Sequence, residues 1–164
     1  MKRAALAYAG VLDTWSTIPT PSEIVWSKCE EAIKTEQALT GKLFEEIDID
    51  SAPMGTLGGI AWFNLTAEAA GYYFGSYLLV ALSYAQTLGR IYPGIDAMNQ
   101  FQSMLEGART GHPSKTLPQI YADQFDGQVW TAAVKAVAVI CDCSPKYFYF
   151  VNFDPDSVLK TWAQ

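Results

Sequence analysis

The sequence predicts a mainly α-helical protein, a single-domain bundle of five to seven helices around one central buried helix. Its 164 residues suit one domain of ordinary size. Half of them are hydrophobic and only 17% are charged, which supplies a large core and excludes global disorder. Apolar residues recur at helical spacing along most of the chain, with prolines and glycines scattered between the periodic segments. No linker, repeat or low-complexity tract divides it, so we expect one globular domain over residues 1–164.

The first element expected is a short N-terminal helix. Its apolar run from Ala4 to Leu12 is interrupted by Tyr8 and Gly10, which disfavours a secretory signal peptide. The second helix is predicted to begin at the capping box Thr20-Pro21-Ser22-Glu23 and to end near Leu39.

Further patterns in the sequence indicate where the second helix ends, which side is exposed and which side is buried. Gly41 follows it as the left-handed C-terminal residue, and Glu30 and Lys34 are spaced as an i,i+4 ion pair. Its predicted buried line consists of Val25, Cys29, Ala32 and Ile33.

The central helix is predicted from Thr66 to Leu88. Residues 69–89 carry no charge and are long enough to cross a bilayer, but the stretch contains four tyrosines and lacks a flanking basic cluster. A buried helix wrapped by other helices is therefore preferred to a membrane span. The small residues Ala67, Gly71 and Gly75, four apart, predict close approach of one partner helix.

Four further elements complete the predicted fold. Helices are expected at 93–111, 116–125 and 128–141, and a last helix is expected from Pro155, with Val158, Leu159 and Trp162 facing inward. The alternative for part of this region is a small β-hairpin that joins 138–141 to the strand-like segment 147–153.

The charge distribution predicts the binding surface. The net charge of −6 argues against nucleic acid as a partner. Nine acids and three lysines between Asp13 and Asp50 account for all of it, and the rest of the chain is neutral. An acidic segment of this kind steers a basic protein partner. The expected partner-binding residues are Glu30, Glu31, Glu45, Glu46, Asp48 and Asp50.

No residue constellation identifies a reaction. His112 is the single histidine and lies in a loop pattern without a nucleophile motif. The one-residue spacing of Cys141 and Cys143 is unlike a structural zinc site, and 45–50 lacks the glycine of an EF-hand loop. We expect no metal and no cofactor. Three cysteines in a chain of this size favour a reducing, cytoplasmic location, where the Asn64-Leu65-Thr66 sequon is not glycosylated.

Three functions follow as hypotheses. The leading one is a small acidic stoichiometric inhibitor, of the toxin-immunity or phage counter-defence type, that binds a basic protein partner. The second is a small-molecule-binding protein or enzyme with a tyrosine-lined pocket that uses Glu68, Tyr73 and Tyr77 as polar groups. The third is a homo-oligomeric structural protein.

Overall fold

The computed structural model describes residues 2–47, 64–88, 123, 125–143 and 155–162. Within these ranges the protein is mainly helical and contains no β-strand, which confirms the mainly α-helical class. An isolated antiparallel bridge pairs Val25 with Leu65. The elements are α1 (Lys2–Trp15), α2 (Glu30–Leu39), a 3₁₀ turn (Phe44–Glu46), α3 (Ala67–Leu88), α4 (Gly127–Cys143) and α5 (Pro155–Trp162).

Helix α3 begins one residue after the predicted Thr66 and ends at Leu88, as predicted. Its first turn is capped by Thr66, whose hydroxyl oxygen accepts from the Ala69 N–H at 3.1 Å. All residues from 69 to 79 are buried. These span about three helical turns, so the helix is covered on every side there.

Helix α1 packs against the small residues of α3 through Trp15, which is fully buried. The indole Nε1–H donates to the Gly71 carbonyl at 3.1 Å. A methyl group added at Gly75 would overlap the indole ring, so the absence of a side chain there permits the contact. The predicted close approach along Gly71 and Gly75 is therefore confirmed.

Helix α4 is capped by Asp126, whose carboxylate accepts from the Gln128 and Val129 N–H groups, each at 2.9 Å. It continues to Cys143, so residues 138–141 are helical and the hairpin alternative is wrong for its first strand. Seven side chains of α4 are buried, and this packing stabilises the helix. The strand-like segment 147–153 lies outside the described residues.

Helix α5 docks as predicted, with Val158 and Trp162 buried. The Trp162 ring stacks between two aromatic rings, with centroids 5.3 Å from Phe74 and 5.2 Å from Trp130. This stack joins α5 to both α3 and α4.

The predicted start of the second helix is wrong. Residues 21–29 are not helical, and α2 begins at Glu30. The backbone of this segment pairs instead with the chain before α3: the Trp26 N–H donates to the Asn64 carbonyl at 3.0 Å, and Thr66 N–H donates to the Ile24 carbonyl at 2.9 Å. Since these tertiary bonds satisfy the backbone, the capping box at Thr20 is not used.

The later start of α2 also changes which of its side chains are buried. Cys29 is exposed at the N-cap position and is not a core residue, and Ile33 is 44% exposed. Val25 and Ala32 are buried as predicted, whereas the helix buries Thr35 and Leu39 in addition. The helix ends at Leu39, and Gly41 has a φ of 75°, as predicted.

Two predicted helices, at 93–111 and 116–125, lie outside the described residues except for positions 123 and 125. None of the helices in the described ranges combines the length and apolarity needed to cross a membrane.

Candidate functional site

The acidic side chains of the predicted binding surface are exposed wherever the structure describes them. Glu30 and Glu31 form the first turn of α2, and Glu45 and Glu46 belong to the 3₁₀ turn. Asp48 and Asp50 lie outside the described residues. Along the chain, the first pair stands at the start of α2 and the second pair follows the end of that helix. The structure therefore places the described acidic side chains on two separate elements.

The pair at the start of α2 is partly neutralised. The Lys34 Nζ donates to Glu30 Oε1 at 2.6 Å, and this bond raises the pKa of Lys34. Hydrogen bonding to its own backbone N–H lowers the pKa of Glu31, with smaller contributions from Cys29 and Lys34. The lowered pKa keeps Glu31 charged at neutral pH, and Glu30 has the Lys34 cation beside it.

The second pair is held in place by Phe44. The Phe44 N–H donates to the Tyr72 hydroxyl oxygen at 3.4 Å, and the Phe44 carbonyl accepts from the Ser76 hydroxyl at 2.6 Å. Its ring packs edge-to-face on Tyr72, with centroids 5.7 Å apart. Because Phe44 is buried and bonded through both backbone groups, the turn is fixed on the surface of α3.

The chain leading into this turn is held by a third hydroxyl group of α3. The Tyr73 hydroxyl lies 3.1 Å from the Leu39 carbonyl oxygen and 3.3 Å from that of Lys42, and its single hydrogen is shared between them. Gly41 reverses the chain between these two carbonyls. Together Tyr72, Tyr73 and Ser76 form a hydroxyl row that binds the backbone of residues 39–44.

The glutamates of the turn differ in their roles. Glu46 Oε2 accepts from the Leu43 N–H at 2.8 Å and closes the turn on itself. Glu45 is exposed beside it. Burial raises the pKa of Tyr72, the bond from the Phe44 N–H lowers it, and the negative charges of Glu45 and Glu46 raise it.

The residues predicted to line a small-molecule pocket occupy different environments. Glu68 is exposed in the first turn of α3, where it accepts from the Ser22 hydroxyl at 3.4 Å. Tyr73 and Tyr77 are buried, at 2% and 3% exposure, and burial raises the pKa of both, that of Tyr73 to about 12. The Tyr73 hydroxyl already donates to two backbone carbonyls, and this arrangement does not favour hydrogen bonding to a ligand. The tyrosine-lined pocket stays a prediction.

Sequence reasoning missed Phe44, Tyr72 and Ser76 as contributors to this site. The available signal was the spacing of Tyr72, Tyr73 and Ser76, which places three hydroxyl groups within one side of an otherwise apolar helix. It also missed Leu43, which is 43% exposed next to the acidic turn.

The cysteines occupy separate kinds of environment. Cys141 is buried, which raises its pKa to about 12, while Cys29 is exposed and Cys143 is half-buried. Among the described side chains, no group of three or more His, Cys, Asp or Glu residues is arranged to hold a metal ion. His112 lies outside the described residues.

Comparison with known proteins gives no relative: no protein-family model matches the chain, and neither a curated protein nor a solved structure shows significant similarity to it.

Proposed function

We propose that this protein is a protein-binding module of the stoichiometric-inhibitor type, comparable to a toxin-immunity or phage counter-defence protein, that docks an acidic surface on a basic partner. The observation that carries the proposal is the fixed acidic turn: Glu45 and Glu46 are exposed on a backbone that three α3 hydroxyl groups hold in place. The proposal includes action in the cytoplasm and, as its finer architecture, a bundle of five to seven helices around α3.

A fixed turn favours binding because little conformational freedom is lost when the partner arrives. In a free loop, each glutamate would have to be ordered at the moment of association. Here the Phe44 backbone bonds order the turn in advance. The carboxylates then accelerate encounter with a positively charged surface, in a manner that weakens as salt is added.

The acidic turn also has apolar contact area beside it. Leu43 is 43% exposed, and Trp26, which precedes α2 in the chain, is 57% exposed. Exposed aromatic and aliphatic side chains between charged groups supply the buried contacts that hold an interface together after electrostatic encounter. Since Lys34 offsets part of the charge at Glu30, we expect the turn to contribute more to steering than the start of α2 does.

The experiment is a comparative capture from lysate of the native host. The wild-type protein and the double variant Glu45→Lys/Glu46→Lys are immobilised in equal amounts, and retained proteins are quantified by mass spectrometry. The control is Glu23→Lys/Glu36→Lys, which changes the net charge equally at exposed positions outside the turn. Circular dichroism checks that all three proteins are helical.

The expected result is a basic protein retained about tenfold more strongly by the wild type and the control than by the turn variant. Its retention should fall as salt is raised. If the wild type and the turn variant retain the same proteins in equal amounts, the acidic turn is not the docking surface.

A further inference from the structure

Helix α1 carries an exposed ridge on the side opposite its buried line. The buried line of the helix is Ala4, Val11 and Trp15. On the opposite side lie four exposed residues spaced four, three and four apart: Lys2, Leu6, Ala9 and Asp13. Such spacing places them in one row along the helix.

The centre of this ridge is apolar, and its ends carry opposite charges. Leu6 is 66% exposed, the most exposed large hydrophobic side chain in the described ranges. Lys2 stands at the N-terminal end and Asp13 near the C-terminal end. The neighbouring Arg3 is engaged with Asp142 of α4 at 2.9 Å, so Lys2 is the cation that faces outward on the ridge.

An open cleft of about 430 Å³ runs beside the ridge, between α1 and α4. Leu6, Ala7 and Gly10 line it from α1, and Thr131 and Ala132 line it from α4. A Cβ added to Gly10 would meet no atom within 4 Å. A branched aliphatic side chain from another molecule therefore has room to enter at this point.

We infer that the α1 ridge is a self-association surface, on which a second copy of this chain packs its own α1 in antiparallel orientation about a twofold axis. In that arrangement Lys2 of each copy faces Asp13 of the other, and each Leu6 lies over Ala9 and reaches the cleft at Gly10. When a second ridge runs in the opposite direction, its order Asp-Ala-Leu-Lys places an opposite charge against each charged residue of the first. In a twofold dimer the same Lys2–Asp13 pair therefore forms at each end of the contact. An isologous interface requires this, because both copies use the same surface.

The size of the surface sets the strength of the dimer. At 1.5 Å per residue, α1 is about 21 Å long, and one helix pair of this length buries less than the roughly 1,200 Å² typical of stable complexes. The dimer is therefore concentration-dependent and in rapid exchange. The acidic turn is not part of this interface, since none of its residues lies on the α1 ridge.

The test is analytical ultracentrifugation of the full chain from low micromolar to sub-millimolar concentration. The wild type should shift from monomer to dimer over this range. Leu6→Glu should weaken the dimer at least about tenfold, because it places two carboxylates in the apolar centre of the pair. Leu6 is exposed, so the variant should keep its helical circular dichroism. Glu45→Lys/Glu46→Lys is the matched control and should dimerise like the wild type.

The charge assignment is tested by exchanging the two ends. Lys2→Asp and Asp13→Lys should each weaken the dimer several-fold, because each creates two like-charge pairs across the twofold axis. The double variant Lys2→Asp/Asp13→Lys should restore it to within about twofold of the wild type. A wild-type protein that stays monomeric at sub-millimolar concentration overturns the inference, as does a dimer that Leu6→Glu leaves intact or a double variant as weak as the single ones.

Discussion

Two faces of α3 make different kinds of contact with the rest of the protein. On one, Gly71 and Gly75 receive the indole of Trp15, and the contact is close-packed and almost entirely apolar. On the other, Tyr72, Tyr73 and Ser76 bind the backbone of the acidic segment through hydroxyl groups. Burial of a large ring contributes several kcal/mol, whereas a hydrogen bond contributes about 1 kcal/mol net but fixes direction. The first face therefore stabilises the fold, and the second positions the segment proposed to bind a partner.

Replacing Trp15 by alanine should have the largest effect on stability. The substitution leaves a cavity beside α3, removes the bond to the Gly71 carbonyl and removes the edge-to-face contact with Phe125. We expect the free energy of unfolding in urea to fall by about 3 to 5 kcal/mol. Trp26→Ala is the matched control at a tryptophan that is 57% exposed, and it should cost under about 1 kcal/mol. Equal losses in the two variants would contradict the assigned role of the Trp15 face.

Adding a single methyl group to that face should also destabilise the protein. Gly75→Ala places a Cβ inside the space of the Trp15 ring, which is itself fully buried and cannot move away freely. The expected cost is about 1 to 3 kcal/mol, despite the better helix propensity of alanine. Gly10→Ala is the same change on the exposed side of α1, where nothing lies within 4 Å, and should stabilise by about 0.5 to 1 kcal/mol. Thermal or urea unfolding of both variants should therefore give opposite signs.

The apolar face was largely predictable from sequence, because its signals are local. A long uncharged run with glycines four apart specifies a buried helix and the side on which a partner approaches. Helix boundaries were predictable where a local cap operates, as at Thr66 and after Leu39. The start of α2 was not, since the capping box at Thr20 competes with backbone pairing to residues 64–66. Residues 64–66 are about forty positions away in the chain, and nothing in the sequence around Thr20 indicates that pairing.

The hydroxyl face was predictable only in part. The tyrosines of α3 needed polar partners, and this follows from burial alone. Their partners are backbone groups of residues 39, 42 and 44, and any residue type supplies a carbonyl or an N–H. The pairing therefore depends on how the chain turns at Gly41 and on the path of residues 42–44. The acidic pairs were identified from composition, whereas the fixing of one pair by α3 required the structure.

The hydroxyl face should make the stability of the protein fall at alkaline pH, because it contains a buried tyrosine that titrates. The apolar contact with Trp15 has no such group. Burial raises the pKa of Tyr73 to about 12, above the value near 10 of a tyrosine in the unfolded chain. Between these values the unfolded state has released a proton that the folded state still holds, so stability is fully present below about pH 10 and falls as the pH rises towards 12. Each such tyrosine contributes a slope of about 1.4 kcal/mol per pH unit.

The measurement is urea unfolding of the wild type and Tyr73→Phe at several alkaline pH values. The variant lacks the titrating group, so its stability should fall less steeply above about pH 10 than that of the wild type. Tyr77 is also buried with a raised pKa and should leave a residual slope in the variant. Parallel slopes in the two proteins would show that Tyr73 is not held neutral in the fold.

The smallest effect should come from removing one bond of the hydroxyl row. Ser76→Ala leaves the Phe44 carbonyl without the hydroxyl that donates to it at 2.6 Å, and we expect a cost of about 1 kcal/mol. Because the loss is local, hydrogen exchange at the Glu46 N–H, which donates to the Leu43 carbonyl, should accelerate about fivefold.

The control for that substitution is Thr87→Ala, at a hydroxyl of α3 that donates to the Ser83 carbonyl of its own helix. It should leave exchange in the acidic turn unchanged. If Ser76→Ala lowers global stability while the Glu46 amide exchanges as in the wild type, then the bond supports the core and does not position the turn. The expected outcome is a faster-exchanging turn on an otherwise unchanged α3, accompanied by weaker capture of the basic partner, since a looser turn must be ordered again on binding.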